Sequence, residues 1–381
     1  MMTVFTQSLM AFTLLCIALA SYAGDAKFVL ESDPNIGQMQ LFKTSDLCQV
    51  AKNTTRYIAD SQNSSDIDSE ALHPGKLISP AITFIRVKKT LDFICQTYTE
   101  DVRAKQQSRL QNTTFLKQNF DFYRWYPDTE TANAISQKSS NAAKNRLLNN
   151  IPADKLFITK YYTKLLTASP VKTAEYSQAL YALPFDEAGL SLGQAELKKT
   201  SLTRFKYSRQ EVIAGVLEQQ KLAKPLVWIT QDGLHDVLLQ GTGVLEVDGT
   251  TRYFNVHRNN GIPYDYSIGK AEQARYWYFA EVPSVMGYGK TLASKIAVKP
   301  HVTFAGNIKE FGLGKLIMVN YPLNGQSTSQ IGILADTGGA FDNNRFQLDF
   351  LVDSYYGWND YHLANKHLPD YANTWVMLIK E

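Results

Sequence analysis

From Leu156 to the C-terminus the sequence breaks into short β-prone runs separated by Gly, Asn and Asp, and this texture constrains the fold more than any other feature. Residues 244–247 and 252–256 flank Asp248-Gly249, a dipeptide that tolerates the positive backbone angles of a tight hairpin turn. Residues 316–320, 331–335 and 375–379 read as further strands. One helical stretch interrupts them at 208–222. It opens on Ser208, with Glu211 three residues later, the pattern of a capping box. Residues 24–149 read as mainly helical. Ile82, Ile85, Leu91 and Ile94 recur at helical spacing, the polar residues 61–70 read as a loop, and Phe120, Phe122, Trp125 and Tyr126 form an aromatic cluster that packs. The expected class is α+β, mainly β, with a helical accessory region at the N-terminal side.

A chain of 381 residues exceeds one ordinary domain and predicts two or three units. Its 44% hydrophobic and 20% charged residues suit a buried core. The net charge of +3 comes without a run or stripe of Lys and Arg, so nucleic acid is not an expected partner. Neither a Cys-x-x-Cys nor a His-Glu-x-x-His pattern occurs, so neither a metal site nor a cofactor is expected. Residues 1–23 carry no charged side chain. An apolar stretch at 9–20 is followed by Ser21-Tyr22-Ala23, the layout of a signal peptide cleaved after Ala23, although Lys or Arg near the start is missing. The stretch is short for a membrane span, and Cys16 follows Leu15 rather than the small residue of a lipoprotein site. The expectation is a periplasmic protein, free or associated with the outer membrane, with no transmembrane segment in the mature chain. Cleavage would leave Cys48 and Cys95. In an oxidising compartment such a pair reads as a disulfide, the alternative being two unpaired buried thiols.

Four segments stand out beyond Leu156. They are Thr159-Lys160-Tyr161-Tyr162; Gln240-Gly241-Thr242-Gly243; Asn260-Gly261-Ile262-Pro263-Tyr264 with Ser267-Ile268-Gly269; and Asp336-Thr337-Gly338-Gly339-Ala340 followed by Asp353-Ser354-Tyr355-Tyr356-Gly357. In this order they resemble the membrane-bound lytic murein transglycosylase A (MltA) family over about residues 150–381. The departures are Lys160 in place of Gly, Thr242 in place of Ser, one residue inserted before Ser267, and a longer stretch between Asp336 and Asp353. The resemblance implies a discontinuous double-psi β-barrel at 150–163 and 283–381. A β-rich domain would be inserted at 164–282, the accessory region would occupy 24–149, and peptidoglycan glycan strands would lie in the groove between barrel and insert. It implies a lytic transglycosylase that cleaves the MurNAc–GlcNAc β-1,4 bond and leaves 1,6-anhydromuramoyl ends. A non-catalytic peptidoglycan-binding protein of the same fold is the alternative.

Such chemistry needs one carboxyl. The sugar's own C6 hydroxyl attacks C1, and an intramolecular nucleophile can have an effective molarity of about 10⁵–10⁸ M. The same carboxyl gives a proton to the leaving oxygen and takes one from the C6 hydroxyl. The match assigns this role to Asp353, with a solvated turn residue as the plain reading. Asp349 is the rival, and Asp336 is a supporting residue or a turn cap. Thr159, Tyr161, Tyr162, Gln240 and Tyr264 are expected to line the groove, or else to serve packing and turns. Two look-alikes fail. Asp336-Thr337-Gly338 has no second copy to form an aspartic-protease dyad. Gly287-Tyr288-Gly289-Lys290-Thr291 lacks the leading Gly of a phosphate loop, Ser284 standing there instead.

Overall fold

The structure, a computed structural model, describes residues 25–60, 72–77 and 79–381. The expected signal peptide with Cys16 and the expected loop at 61–70 lie outside the described residues. The strands are β1 (Lys27–Glu31), β2 (Gln38–Met39), β3 (Phe120–Tyr126), β4 (Leu156–Ala168), β5 (Gln178–Tyr181), β6 (Pro225–Ile229) and β7 (Thr242–Val247). They continue with β8 (Thr250–Asn259), β9 (Trp277–Val282), β10 (Thr303–Ala305), β11 (Leu316–Leu323), β12 (Gln326–Asp336), β13 (Gln347–Tyr355) and β14 (Tyr371–Ile379). The fold is mixed α and β, mainly sheet.

The pairing of these strands places the site. β4 runs parallel to β13, β13 pairs with β10, β10 with β12, β12 with β11, and β11 with β14. β14 then returns to β4 through Tyr371 opposite Phe157 and Ala372 opposite Leu156. The hydrogen-bonded path through six strands thus ends where it began. These strands are near-continuous apolar runs, and Phe304, Leu316, Ile333, Leu348, Leu351 and Val376 are buried together in one core. A strand buried on both faces has no need of polar alternation.

β4 is 13 residues long and outruns this set. Its second half, Lys164 to Ala168, pairs in parallel with Gly243 to Val247 of β7. β7, β8 and β9 form an antiparallel extension around a second core that includes Leu180, Trp228, Leu245, Phe254 and Tyr278. The hairpin anticipated at Asp248-Gly249 is present, with both residues at positive φ, 50° and 75°. The capping box at Ser208 and Glu211 also forms. The helix it opens is shorter than expected. It ends at Ile213 because Gly215 adopts a left-handed φ of 95°, and a separate turn follows at Val216–Gln219.

Residues 24–149 are less detached than a helical accessory region would be. The helices Thr44–Asp60 and Phe84–Arg103 bury Leu47, Val50, Val87, Leu91 and Ile94 in the main core. β1 and β3 extend the main sheet beyond β14, and β2 pairs with β12. The aromatic run read as a packed cluster is strand β3. Phe120 and Phe122 alternate inward with the period of two that a strand requires, a signal hidden by the buried Tyr123 and Trp125 beside them. Ile85, read as part of the helix's apolar face, is exposed, and Val87 takes that place. Among the described residues no helix is long and apolar enough to cross a membrane.

A disulfide joins Cys48 to Cys95, with Cα atoms 4.7 Å apart, and ties the two long helices together. Replacing both with Ser is expected to cost about 2–4 kcal/mol of unfolding free energy, chiefly by freeing the unfolded chain. Denaturant titration of the oxidised wild type and the double variant measures this. Two free thiols titrating in protein made in an oxidising compartment would contradict the bond.

Candidate functional site

A cleft of 740 Å³ opens where β4 passes from the first core to the second. Tyr161, Tyr162 and Thr163 of β4 lie on its floor. Gln240, Gly241, Thr242 and Asn255 line it from the β7–β8 side, and Met286 to Lys290, Lys295, Asp336 and Thr337 from the other. The helix Trp358–Asn365 contributes Trp358 and Tyr361.

The acid at the cleft wall is Asp336, the last residue of β12. Its carboxyl is held on both oxygens. The Tyr161 hydroxyl donates to Oδ2 at 2.7 Å, and the Thr337 backbone N–H donates to Oδ1 at 2.8 Å. The Thr337 hydroxyl donates to the Gly306 carbonyl at 2.8 Å, which fixes the turn against β10. Burial pushes Asp336 up to about 6, against the pull of these hydrogen bonds and of the Lys295 charge. Burial, then the Asp336 charge, raises the Tyr161 phenol well above its ordinary value, so it stays a donor.

Asp349 of β13 stands beside this group. The register sets it opposite Thr159 on β4 and Ala305 on β10. It lies within electrostatic reach of cleft residues, for its charge acts on Tyr161 and Tyr361 and it feels Asp336 and Lys160. Burial pushes Asp349 up to about 6 as well, the neighbouring Asp336 adds to the rise, and a hydrogen bond from Gln347 opposes it. That bond, Gln347 Nε2 to Oδ1 at 3.2 Å, is the one hydrogen bond the carboxyl accepts among the described residues. Gln347 also donates to the Thr159 hydroxyl at 2.6 Å, so Thr159 orders the amide that orders Asp349. Two neighbouring desolvated carboxyls, Asp336 on the cleft wall and Asp349 within reach of its charge, both displaced upward, make this a candidate chemical site.

Residues 157–277 match the family model described as the MltA specific insert domain. Three solved structures share the fold. The membrane-bound lytic murein transglycosylase from Agrobacterium tumefaciens has a TM-score of 0.54 at 15% identity, covering 88% of this chain and 93% of that one. MltA from Neisseria gonorrhoeae gives 0.52 at 14% identity, covering 88% of each chain. Escherichia coli MltA with bound chitohexaose gives 0.50 at 17% identity, covering 93% of this chain and 95% of that one. No curated protein matches the chain by sequence. The chain shares the fold of these structures, and its residues 157–277 match one domain of the MltA family.

The residues that the MltA motifs suggested are only partly gathered here. Tyr161, Tyr162, Gln240 and Asp336 line the cleft, and Thr159 stands one step away. Tyr162 stacks on Tyr361 at 4.6 Å. Gln240 ends the helix Gln231–Gln240 and accepts the Lys164 backbone N–H at 2.8 Å, tying β4 to that helix. Tyr264 is elsewhere. It lies on an outer loop of the second core against Tyr266, away from the cleft. Asp353 is also elsewhere. The β4–β13 register slips between Leu351 and Asp353, and the bulge turns Asp353 out. It is exposed in a second pocket with Phe42, Lys43, Asp46 and His301, where its Oδ1 accepts the Ser354 backbone N–H at 2.8 Å. The carboxyl selected by a fixed offset to Gly357 thus lies outside this cleft. Lys295, Asn255, Trp358 and Tyr361 were not anticipated. Only the glycines of 287–289 carried a signal, and it was read for a phosphate loop alone. Gly287 has no room for a Cβ, which would meet the Ala335 carbonyl oxygen at 2.7 Å. Among the described residues no group of three or more His, Cys, Asp or Glu is placed to hold a metal ion.

A carboxyl raised by the fold adds stability below its unfolded value and loses it as pH climbs through the folded one. For Asp349 that window runs from 3.8 to about 6. Asp349→Asn is therefore expected to stabilise the protein at pH 7 by on the order of 1–2 kcal/mol and not at pH 4. Thermal melts at the two pH values check it. An equal effect at both would mean that Asp349 titrates as it does in the unfolded chain.

Proposed function

We propose that this protein is a lytic transglycosylase acting on peptidoglycan glycan strands, with Asp349 as the single general acid and base and Asp336 as its partner. The observation that carries the proposal is the unequal holding of the two carboxyls. Asp336 accepts hydrogen bonds on both oxygens, which favours its anion and leaves no oxygen free to carry a proton to substrate. Asp349 accepts one, on Oδ1, which leaves Oδ2 for the work. Two close carboxyls resist double ionisation, so the pair retains a proton toward neutral pH, and the fixed anion of Asp336 directs it to Asp349.

The steps follow. Protonated Asp349 donates to the glycosidic oxygen between MurNAc and GlcNAc. The C1–O bond breaks, and the anion of Asp336 stabilises the positive charge developing at C1. The Asp349 carboxylate then takes the proton of the C6 hydroxyl as that oxygen bonds to C1. A 1,6-anhydromuramoyl end forms and Asp349 regains its proton. Thr159 and Gln347 position the acid, and Tyr161 positions its partner. A protein that only binds glycan needs no raised acid pair, which favours the enzyme over the binding protein.

The closed path of six strands supports a double-psi β-barrel at about 150–163 and 283–381, with the β-rich domain inserted at about 164–282. The likeness to a membrane-bound relative from Agrobacterium tumefaciens supports an envelope location, and the uncharged apolar N-terminus supports export to the periplasm.

Asp349→Asn is expected to lower release of soluble fragments from purified sacculi by about 10²–10⁴-fold, the usual contribution of general acid–base catalysis. Asp353→Asn should stay near wild type. A loss confined to Asp353→Asn would return the role to that residue, and full activity of Asp349→Asn would remove Asp349 from the chemistry.

A further inference from the structure

The segment that failed as a phosphate loop lies on the cleft wall. Val285 to Tyr288 pairs back on residues 296–298: Gly287 N–H donates to the Ile296 carbonyl at 2.7 Å, and Ile296 N–H to the Tyr288 carbonyl at 2.8 Å. Tyr288 N–H then donates to the Ala335 carbonyl at 3.0 Å, one residue before Asp336. The two glycines make this approach possible. At Gly289, with φ of 153°, a Cβ would fall 2.5 Å from the Lys295 Cα. The hairpin thus brings Lys290 and Lys295 to the cleft wall, with Lys295 within reach of the Asp336 charge.

These two cations differ from others in the cleft. The Lys160 ammonium is taken up by Asp370 at 3.2 Å and the Pro369 carbonyl at 2.9 Å. Lys290 is exposed, and among the described residues its ammonium makes no hydrogen bond or ion pair. Lys295 is partly buried, and its ammonium also has no such partner there. Burial lowers its pKa, and the Asp336 charge offsets only part of that. An unmatched ammonium in a desolvated wall is costly unless an anion meets it when the site fills. Asp336 faces the same space but is satisfied by Tyr161 and Thr337. The Asp336 charge offsets part of the cost at Lys295, and a ligand anion seated in the cleft would meet what remains there and the exposed Lys290 ammonium.

We infer that Lys290 and Lys295 form an anion-reading wall of the cleft, which selects glycans bearing a carboxylate on the ring seated beside the acid pair over neutral glycans. This rests on the glycan reading above and deepens it. In a strand of alternating MurNAc and GlcNAc, the MurNAc substituent carries the acid, as a lactyl carboxylate or through its attached peptide. The wall would therefore set which sugar presents C1 to Asp349. A neutral chitin-type strand offers nothing to these ammonium groups.

The test is a binding measurement, independent of turnover. Glycan strands stripped of peptide are divided, and one half has its lactyl carboxylates converted to methylamides. Titration calorimetry with the full-length Asp349→Asn protein compares the two halves with a chitooligosaccharide of equal length. The acidic strand is expected to bind roughly tenfold more tightly than its amidated form, the scale of a hydrogen bond to a charged group, and the preference should shrink with salt. Lys290→Gln combined with Lys295→Gln should abolish the preference while binding of the amidated strand persists, and Lys290→Arg should keep it. Persistent binding of the amidated strand also reports that the double variant is folded. Equal affinity of the parent protein for the two halves would overturn the inference, as would a preference that survives in the double variant. Failure of sacculi to release fragments would count against the proposed activity and leave this selectivity standing.

Discussion

The site depends on a single strand that belongs to two cores. The first half of β4 pairs with β13 and β14 and closes the six-strand path; its second half pairs with β7 and carries the inserted unit. The cleft lies where this strand leaves one packed core for the other. β4 places Tyr161, Tyr162 and Thr163 at that crossing. The Lys164–Asp236 ion pair at 3.0 Å and the Lys164 N–H bond to Gln240 hold the inserted side in place. A strand spans both bodies more rigidly than a loop would, which suits a reaction that needs its groups fixed to fractions of an ångström.

The chemistry follows from the burial this crossing creates. Asp336 and Asp349 arrive from different strands, β12 and β13, both pairing with β10. Neither would hold a proton near neutral pH in water. Buried near Tyr161 and near one another, both are raised, and their hydrogen bonds differ, two on Asp336 and one on Asp349, which is the difference the proposed roles rest on. The aromatic group of Tyr162, Tyr361 and Trp358 extends the cleft outward, and Trp358 keeps 65% of its surface exposed, an open indole face suited to a sugar ring.

Much of this was legible in the sequence, and the misses have physical causes. The hairpin at Asp248-Gly249, the capping box at Ser208 and the strands around residues 316–320, 331–335 and 375–379 were readable because local chemistry fixes them. Asp336, Tyr161 and Gln240, each from a short motif with little room for insertion, line the cleft. Asp353 lies outside the cleft because a β-bulge changes which face a residue points to while leaving its distance to Gly357 intact. Lys295 could not be found at all. It reaches the acid pair only through the tertiary approach of a glycine-bearing hairpin, and no local spacing encodes that. The strands of residues 24–149 were masked because an aromatic run hides a period of two.

The chemistry assigned to the acid pair has one direct readout, the new ends left on peptidoglycan. Mass analysis of fragments released from purified sacculi distinguishes attack by the sugar's own C6 hydroxyl from attack by water. An intramolecular nucleophile with Asp349 as the sole proton carrier leaves 1,6-anhydromuramoyl ends, each lighter than the hydrolysed end by one water, and that is the expected product. New reducing ends as the main product would mean that water attacks C1, and would contradict the single-acid mechanism built on Asp349.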